Sequence, residues 1–236
     1  MYQEKDNIFP AMIAVAKTIA SRFPASDFIV KYYEEKKTEI VKRKLNRLEE
    51  LYNSLLERLT NIEGEINSDY VCKEDFEDIF ERTASYIMNE RINDKRRCFQ
   101  NIFINSITAS FCSYDKTEKY MRMLDSMGWL ELRILGVLNN PSKYNEDEGY
   151  IIKDSPNDNS FWGAVLSGKN SMDILAILLK ESKEDIMDAL YYLENNRLII
   201  KQSNAIHTQF SGNSIHILEN MLTPKGKEFV AFIMQK

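Results

Sequence analysis

Four cationic side chains form a local basic group in the sequence. They are Arg91, Lys95, Arg96 and Arg97. Guanidinium and ammonium groups bind phosphates and carboxylates, so this group is a candidate contact for a nucleic acid or a protein partner. Glu90 and Asp94 lie among these residues and offer another interpretation, in which the cations pair with these carboxylates or are solvated. Arg91 and Lys95 share one helix face only if no break intervenes at Asn93.

Cysteine and histidine side chains are the other groups with possible chemistry. Cations near Cys98 would lower its thiol pKa, whereas the apolar residues beside it favour burial. The three cysteines form no CxxC or other ligand spacing, so neither a disulfide framework nor a zinc site is indicated. His207 and His216 lie in no catalytic or metal-binding motif, and GAVLSGKN lacks the hydroxyl residue that follows the lysine of a phosphate-binding loop. We predict a non-enzymatic protein of the reducing cytoplasm, with no cofactor and no metal.

The composition is typical of a helical globular chain. Apolar residues make up 44% and charged residues 28% of the 236 residues. Only eight Gly and five Pro are available to separate strands, so helices are favoured. The net charge of −5 argues against general polyanion binding and confines any nucleic-acid contact to a local surface. The apolar N-terminal stretch is interrupted by Lys17 and too short to span a bilayer, so we expect no membrane helix and disfavour membrane binding.

Residues 41–66 carry apolar side chains at alternating intervals of four and three, the spacing of a coiled-coil seam. We predict one long helix from a cap at Ser26 or Asp27 to about Ile66. The seam positions that would support self-association are Leu45, Leu48, Tyr52, Leu55 and Leu59. In a parallel homodimer Lys44 would face Glu49, which is an attractive pair. Leu51 and Leu56 widen the apolar stripe, so packing within a bundle of the same chain is equally supported.

The sequence divides into a helical bundle or assembly region, residues 1–115, and a C-terminal domain, residues 116–236. Two helices with a break at Asn93 and Asp94 complete the first region. The second begins with a helix, a turn at Gly128 and another helix that ends by Asn140. A stretch rich in Asn, Asp, Ser and Gly follows at about 140–171, and we predict that it is an inserted loop.

The last 65 residues predict helix, helix, hairpin and helix in that order. MDILAILLK and SKEDIMDALYYLENNR are helical, the second with Ser182 as its cap. LIIKQS and IHILENML are predicted strands, and TPKGKEFVAFIMQK is a closing helix capped by Thr223. With RILGVLNNP as a first helix, this order resembles the winged helix-turn-helix superfamily over residues 129–236.

The predicted fold is therefore mainly α. It combines a helical N-terminal region, containing a long coiled-coil-like helix, with a C-terminal winged-helix domain that has a small β-hairpin. The resemblance implies partner contacts on the third helix and the wing. The candidate contacts there are Lys183, Arg197, Lys201, His207 and Gln209. Between Ser182 and Arg197, two basic side chains stand against four acidic ones, which is unfavourable for phosphate approach. We expect a protein partner, with a dimeric DNA-binding transcription regulator as the alternative.

Other segments resemble the bacterial abortive-infection alpha-like proteins, a group associated with mobile elements and phage defence. The similar features are the weakly apolar start, the long charged helix, NDKRRCFQNIFINSI and YMRMLDSMGWLELRIL. This resemblance implies a bacterial regulator associated with a prophage or with phage defence. A third possible function is a defence effector whose N-terminal apolar helix acts on membranes.

Overall fold

The computed structural model describes part of the chain. The described residues are 43–44, 46–50, 53–54, 58, 74–108, 113–152, 171–200 and 215–234. Over these residues the protein is mainly helical and has no β-strand. None of the described helices is long and apolar enough to cross a bilayer. The described residues divide into two compact units between Ser126 and Met127.

Three helices make up most of the described first unit. They are α1 (Glu74–Asn89), α2 (Asn93–Ser106) and α3 (Tyr114–Ser126). Every pair of these helices is in contact. Phe103 lies at the centre of the core, with its ring 5.6 Å from that of Phe76 and 5.5 Å from that of Phe80. Tyr86 of α1 stacks on Phe99 of α2 at 4.8 Å. These ring contacts hold α1 against α2.

Helical residues upstream of α1 lie against the C-terminal end of α1 and the middle of α2. Lys44 Nζ donates to Asn89 Oδ1 at 2.7 Å, and Arg47 Nη1 donates to the Met88 carbonyl at 2.9 Å. Two further hydrogen bonds reach α2, one from Ser54 to Gln100 and one from Arg58 to Asn101. The partners in these four bonds are 41 to 46 residues apart in the sequence. The upstream segment is therefore part of the first unit.

Of the seam positions predicted to support self-association, the structure describes Leu48. Its side chain is only 6% exposed within a single chain. Leu48 therefore needs no second copy to bury it, which favours the bundle interpretation at this position. The other positions, Leu45, Tyr52, Leu55 and Leu59, lie outside the described residues. Self-association through them stays a prediction.

The described residues of the second unit form five α-helices and one short 3-10 helix. They are α4 (Trp129–Asn139), α5 (Pro141–Asp147), α6 (Ser171–Leu179), α7 (Lys183–Asn195), the 3-10 helix Ile215–Leu218, and α8 (Pro224–Met234). Helix α4 is central, because it contacts α5, α6, α7 and α8. Its Ile134, Leu135 and Val137 side chains are fully buried, as are Phe229 and Phe232 of α8.

The predicted caps of α7 and α8 are confirmed. Ser182 Oγ accepts from the Asp185 amide at 3.1 Å, and Thr223 Oγ1 accepts from the Gly226 amide at 2.9 Å. These bonds satisfy amides that have no partner within their own helix. Gly226 also lies against the chain that leaves α7, since a Cβ at this position would stand 1.9 Å from the Leu198 carbonyl oxygen. Only glycine fits there.

The predicted β-hairpin is not confirmed. Ile199 and Leu222 form one antiparallel bridge. The strand predicted from residue 215 is wrong at its start, because Ile215–Leu218 form a 3-10 helix. Ile215 and Leu218 are both buried, and a 3-10 helix places positions i and i+3 on the same side, whereas a strand would point them to opposite faces. The predicted tip at 201–214 lies outside the described residues.

The inserted loop predicted at about 140–171 begins as a helix, which corrects the expectation of an irregular stretch. Asn140 Oδ1 caps α5 by accepting from the Lys143 amide at 3.1 Å, and Pro141 is the first helical residue. The buried Asn145 side chain then bonds both backbone groups of Ile152, at 2.8 and 2.9 Å. Residues 153–170 lie outside the described part of the chain.

Candidate functional site: two interaction surfaces

Helix α7 buries one face and exposes another. Its inward face consists of Ile186, Ala189, Leu190 and Leu193, all of them buried. Met187 and Tyr191 lie one turn apart on the outward face, where their side chains are 54% and 68% exposed. The other exposed large apolar side chains among the described residues are Trp129, at 37%, and Tyr150, at 58%. We call Met187 and Tyr191 the α7 pair.

The charges around the α7 pair are acidic. Glu184 precedes Met187 by three residues and Asp188 precedes Tyr191 by three, so both carboxylates lie on the outward face. Asp185, also exposed, accepts a hydrogen bond from Ser182 at 2.7 Å. The surface formed by the α7 pair, Glu184 and Asp188 is therefore apolar at its centre and negative at its edges.

Lys183 was one of the predicted partner contacts, and the structure gives it an internal counterion. Its Nζ lies 2.6 Å from Asp173 Oδ1 of α6. The hydrogen bond and the negative charge of Asp173 raise the pKa of the Lys183 ammonium. Because Asp173 compensates its charge, Lys183 adds little to the field that an approaching phosphate would meet.

Arg197 lies in the turn that follows α7. It adopts a left-handed conformation, with φ of 58°, and its side chain is exposed. Thr223 Oγ1 donates to the Arg197 carbonyl at 2.7 Å, and Lys225 Nζ donates to the Asn196 carbonyl at 2.6 Å. The start of α8 thus fixes the backbone of this turn. The remaining wing candidates, Lys201, His207 and Gln209, lie outside the described residues.

The second surface lies at the corner between α1 and α2. Four arginines gather there, and we call them the arginine corner: Arg43, Arg47, Arg91 and Arg96. Burial, followed by the charges of Arg96, Arg43 and Arg91, lowers the pKa of the Arg47 guanidinium. Arg43 precedes Arg47 by one helical turn, Arg47 reaches the Met88 carbonyl, and Arg96 reaches the Arg91 carbonyl, so the four residues adjoin at this corner. Sequence reasoning found Arg91 and Arg96 and missed Arg43 and Arg47.

Backbone carbonyls hold two of the four guanidinium groups. Arg47 is bonded to the Met88 carbonyl at the end of α1. Arg96 donates to the Glu90 and Arg91 carbonyls at 3.4 and 3.1 Å and to Asn93 Oδ1 at 3.0 Å. Its carboxylate neighbour is the exposed Glu50, at 3.6 Å. Carbonyls at a helix end lack amide partners, so these arginines complete the hydrogen bonding of the corner.

Lys95 lies beneath this surface and is not part of it. Its side chain is buried; its Nζ donates to the Asp125 carbonyl at 2.9 Å and lies 3.3 Å from Glu90 Oε2. Burial raises the pKa of Glu90, but the hydrogen bond from the Ile92 amide and the charge of Lys95 outweigh burial and lower that pKa. Lys95 and Glu90 therefore form an internal ion pair. Lys95 stabilises the corner and does not reach a ligand.

The last two side chains of this region do not form a reactive site. Arg97 is exposed and lies 3.9 Å from Asp94. Cys98 is buried, and burial raises the pKa of its thiol to about 12. The thiol is thus protonated at neutral pH and a poor nucleophile. No group of three or more His, Cys, Asp or Glu side chains within the described stretches could hold a metal ion.

The two surfaces left different signals in the sequence. Met187 and Tyr191 lie off the inward stripe of α7, so a helical projection of that segment could have identified them. The arginine corner joins residues more than 40 positions apart, such as Arg47 and Met88.

Comparison with protein-family models, with curated proteins and with solved structures finds no match for this chain. A function can therefore be proposed only from the chemistry of these two surfaces.

Proposed function

We propose that the chain is a non-enzymatic bacterial interaction protein that binds a protein partner through the outward face of α7. The observation that carries this proposal is the exposed α7 pair. Two large apolar side chains one turn apart offer the kind of anchor on which protein interfaces concentrate their binding energy. The winged-helix resemblance supports the same helix as the contact element.

The charges of α7 specify the chemistry of the partner. Glu184 and Asp188 flank the pair, and Asp173 already compensates Lys183. A complementary segment carries an apolar side chain that packs on Met187 and Tyr191, with Lys or Arg beside it. A duplex would instead bring its phosphates toward these carboxylates, which is unfavourable. A DNA-binding regulator is therefore the less supported alternative. The resemblance to abortive-infection alpha-like proteins supports a prophage or phage-defence setting.

The test is a selection of displayed random peptides on the full-length chain, followed by affinity measurement of the enriched peptides. We expect enrichment of peptides that combine basic and large apolar residues. Replacing both anchors, in Met187→Ser/Tyr191→Ser, should weaken their binding at least tenfold. The matched control is Tyr150→Ser, because Tyr150 is also exposed, at 58%, and belongs to the same unit.

Two outcomes would contradict the protein-partner proposal. One is a set of enriched peptides that bind the double variant as tightly as the unaltered chain. The other is selection of one sequence motif from random duplexes, with binding abolished by Arg197→Glu and unaffected by the α7 double variant. That second outcome would establish the transcription-regulator alternative.

A further inference from the structure

The arginine corner carries an excess of positive charge in a negatively charged protein. Residues 43–50 and 90–97 contain seven cationic side chains and four carboxylates, which leaves three positive charges in excess. The whole chain carries −5, so the rest of the sequence carries −8. One of the four carboxylates, Glu90, is an internal partner of the buried Lys95. This asymmetry creates a local field that attracts anions.

The corner is also ordered before any ligand arrives. Arg47 and Arg96 are fixed by hydrogen bonds to the backbone around the end of α1, so little side-chain entropy remains to be lost on binding. Arg43 and Arg91 are exposed beside them. Guanidinium groups match the fork geometry of phosphate oxygens and remain charged at any physiological pH.

We infer that the arginine corner binds the phosphodiester backbone of a nucleic acid without reading its sequence. Among its described residues the first unit has no exposed large apolar side chain to serve as an anchor, which favours this ligand. All four exposed large apolar side chains found among the described residues belong to the second unit. A stable protein interface or an interfacial membrane contact needs buried apolar area, whereas a phosphate backbone is held by charge alone.

This inference is independent of the proposed function, because the corner and α7 belong to different units. A chain with both properties would hold a protein partner near a nucleic acid while the duplex itself contacts only the first unit. The binding is expected to be weak and strongly salt-dependent. Three neutralised phosphates correspond to a slope of about −3 in log affinity against log salt concentration.

The test uses the full-length chain and a fluorescein-labelled duplex of random sequence, with anisotropy measured from 50 to 200 mM KCl. The variant Arg43→Gln/Arg91→Gln should lower the affinity at 50 mM KCl at least tenfold and reduce the steepness of the salt slope by about 2. The matched control is Lys119→Gln/Arg122→Gln, which removes two exposed cations from α3 of the same unit. It should change the affinity less than twofold. Thermal melting by circular dichroism verifies that both variants are folded.

Several results would overturn the inference. They are no duplex binding by the unaltered chain at 50 mM KCl, an unchanged salt slope in the corner variant, or an equal loss in the control. Competition experiments with other anionic ligands identify the ligand class. If polyglutamate or vesicles with 30% phosphatidylglycerol bind more tightly than the duplex and show the same dependence on Arg43 and Arg91, the site recognises acidic protein or lipid instead. If unlabelled duplex displaces the labelled duplex and neither polyglutamate nor vesicles do so, the nucleic-acid assignment is supported.

Discussion

The outward face of α7 and the arginine corner differ in charge, in composition and in how the chain builds them. The α7 surface is apolar and acidic and comes from neighbouring residues of one helix. The arginine corner is cationic and joins upstream residues to a turn more than 40 positions later. A surface on one helix depends on that helix being docked, whereas a surface built from distant segments depends on their association. Different substitutions should therefore abolish binding at the two surfaces.

The largest expected effect concerns the support of α7. Gly226→Ala would place a Cβ against the Leu198 carbonyl, so we expect a loss of about 3 kcal/mol or more in the unfolding free energy of the second unit. Peptide binding by α7 should weaken, and duplex binding at the arginine corner should persist. Urea denaturation and both binding assays measure these changes.

Gly136→Ala is the matched control for this prediction. A Cβ at Gly136 would lie 3.8 Å from Met234 Cε, an ordinary contact, and α4 should gain up to about 1 kcal/mol from the better helix former. Equal stability of the two variants would mean that Gly226 does not fix the exit from α7.

Leu48→Lys tests the assembly of the arginine corner. It buries a charge beside Arg47 in the first unit, and we expect a loss of about 3 kcal/mol in stability, together with loss of duplex binding. The control is Asn46→Lys, at an exposed position two residues earlier. If Leu48→Lys leaves stability unchanged and halves the mass measured by light scattering, Leu48 lies in a homodimer interface and the bundle interpretation is wrong.

Lys95→Met tests the ion pair beneath the corner. Glu90 keeps the Ile92 amide but loses its cation, so we expect a loss of about 2 kcal/mol at pH 7. The folded pKa of Glu90 is below its ordinary value of 4.5, so ionisation contributes stability above that value, and this contribution is lost as the pH falls through the folded pKa. The stability gap between the unaltered chain and the variant should therefore narrow below about pH 4.5. A gap that is constant with pH would assign the effect to packing.

The smallest expected effect is that of Lys183→Gln. The inferred duplex site is the arginine corner of the first unit and not α7, so removal of the Lys183 charge should leave duplex affinity within twofold of the unaltered chain. Binding of basic peptides to α7 should increase slightly, because the outward face becomes more negative. A tenfold loss of duplex binding would instead mean that α7 contacts the phosphates.

Local signals made much of the second unit predictable. Ser182 and Thr223 stand directly before helical segments, which is the sequence pattern that predicts a cap, and each accepts a hydrogen bond from the amide three residues later. The prediction that a second strand begins at Ile215 was wrong, because the apolar residues of IHIL have a spacing that also suits a 3-10 turn. The contacts between residues far apart in the sequence could not be predicted in this way. Pairing of Lys95 with Glu90 was one of the interpretations that the sequence offered. Nothing near Arg91 indicates that Arg47 lies beside it, and nothing near Lys95 indicates that its ammonium group is buried against the Asp125 carbonyl.

The crowding of guanidinium groups around Arg47 also affects how stability depends on ionic strength. Where surface charges attract one another, added salt weakens the folded state. At this corner, burial and the charges of Arg96, Arg43 and Arg91 disfavour the charged form of Arg47, and the charge of Glu90 favours it. Chloride or phosphate screens the repulsion between these guanidinium groups and should tighten the association of the upstream segment with α1 and α2. By thermodynamic reciprocity, any anion that binds the corner also stabilises that segment, and the docked segment in turn raises the affinity for the anion. Anion binding at the corner is thus coupled to the docking of the upstream segment against α1 and α2.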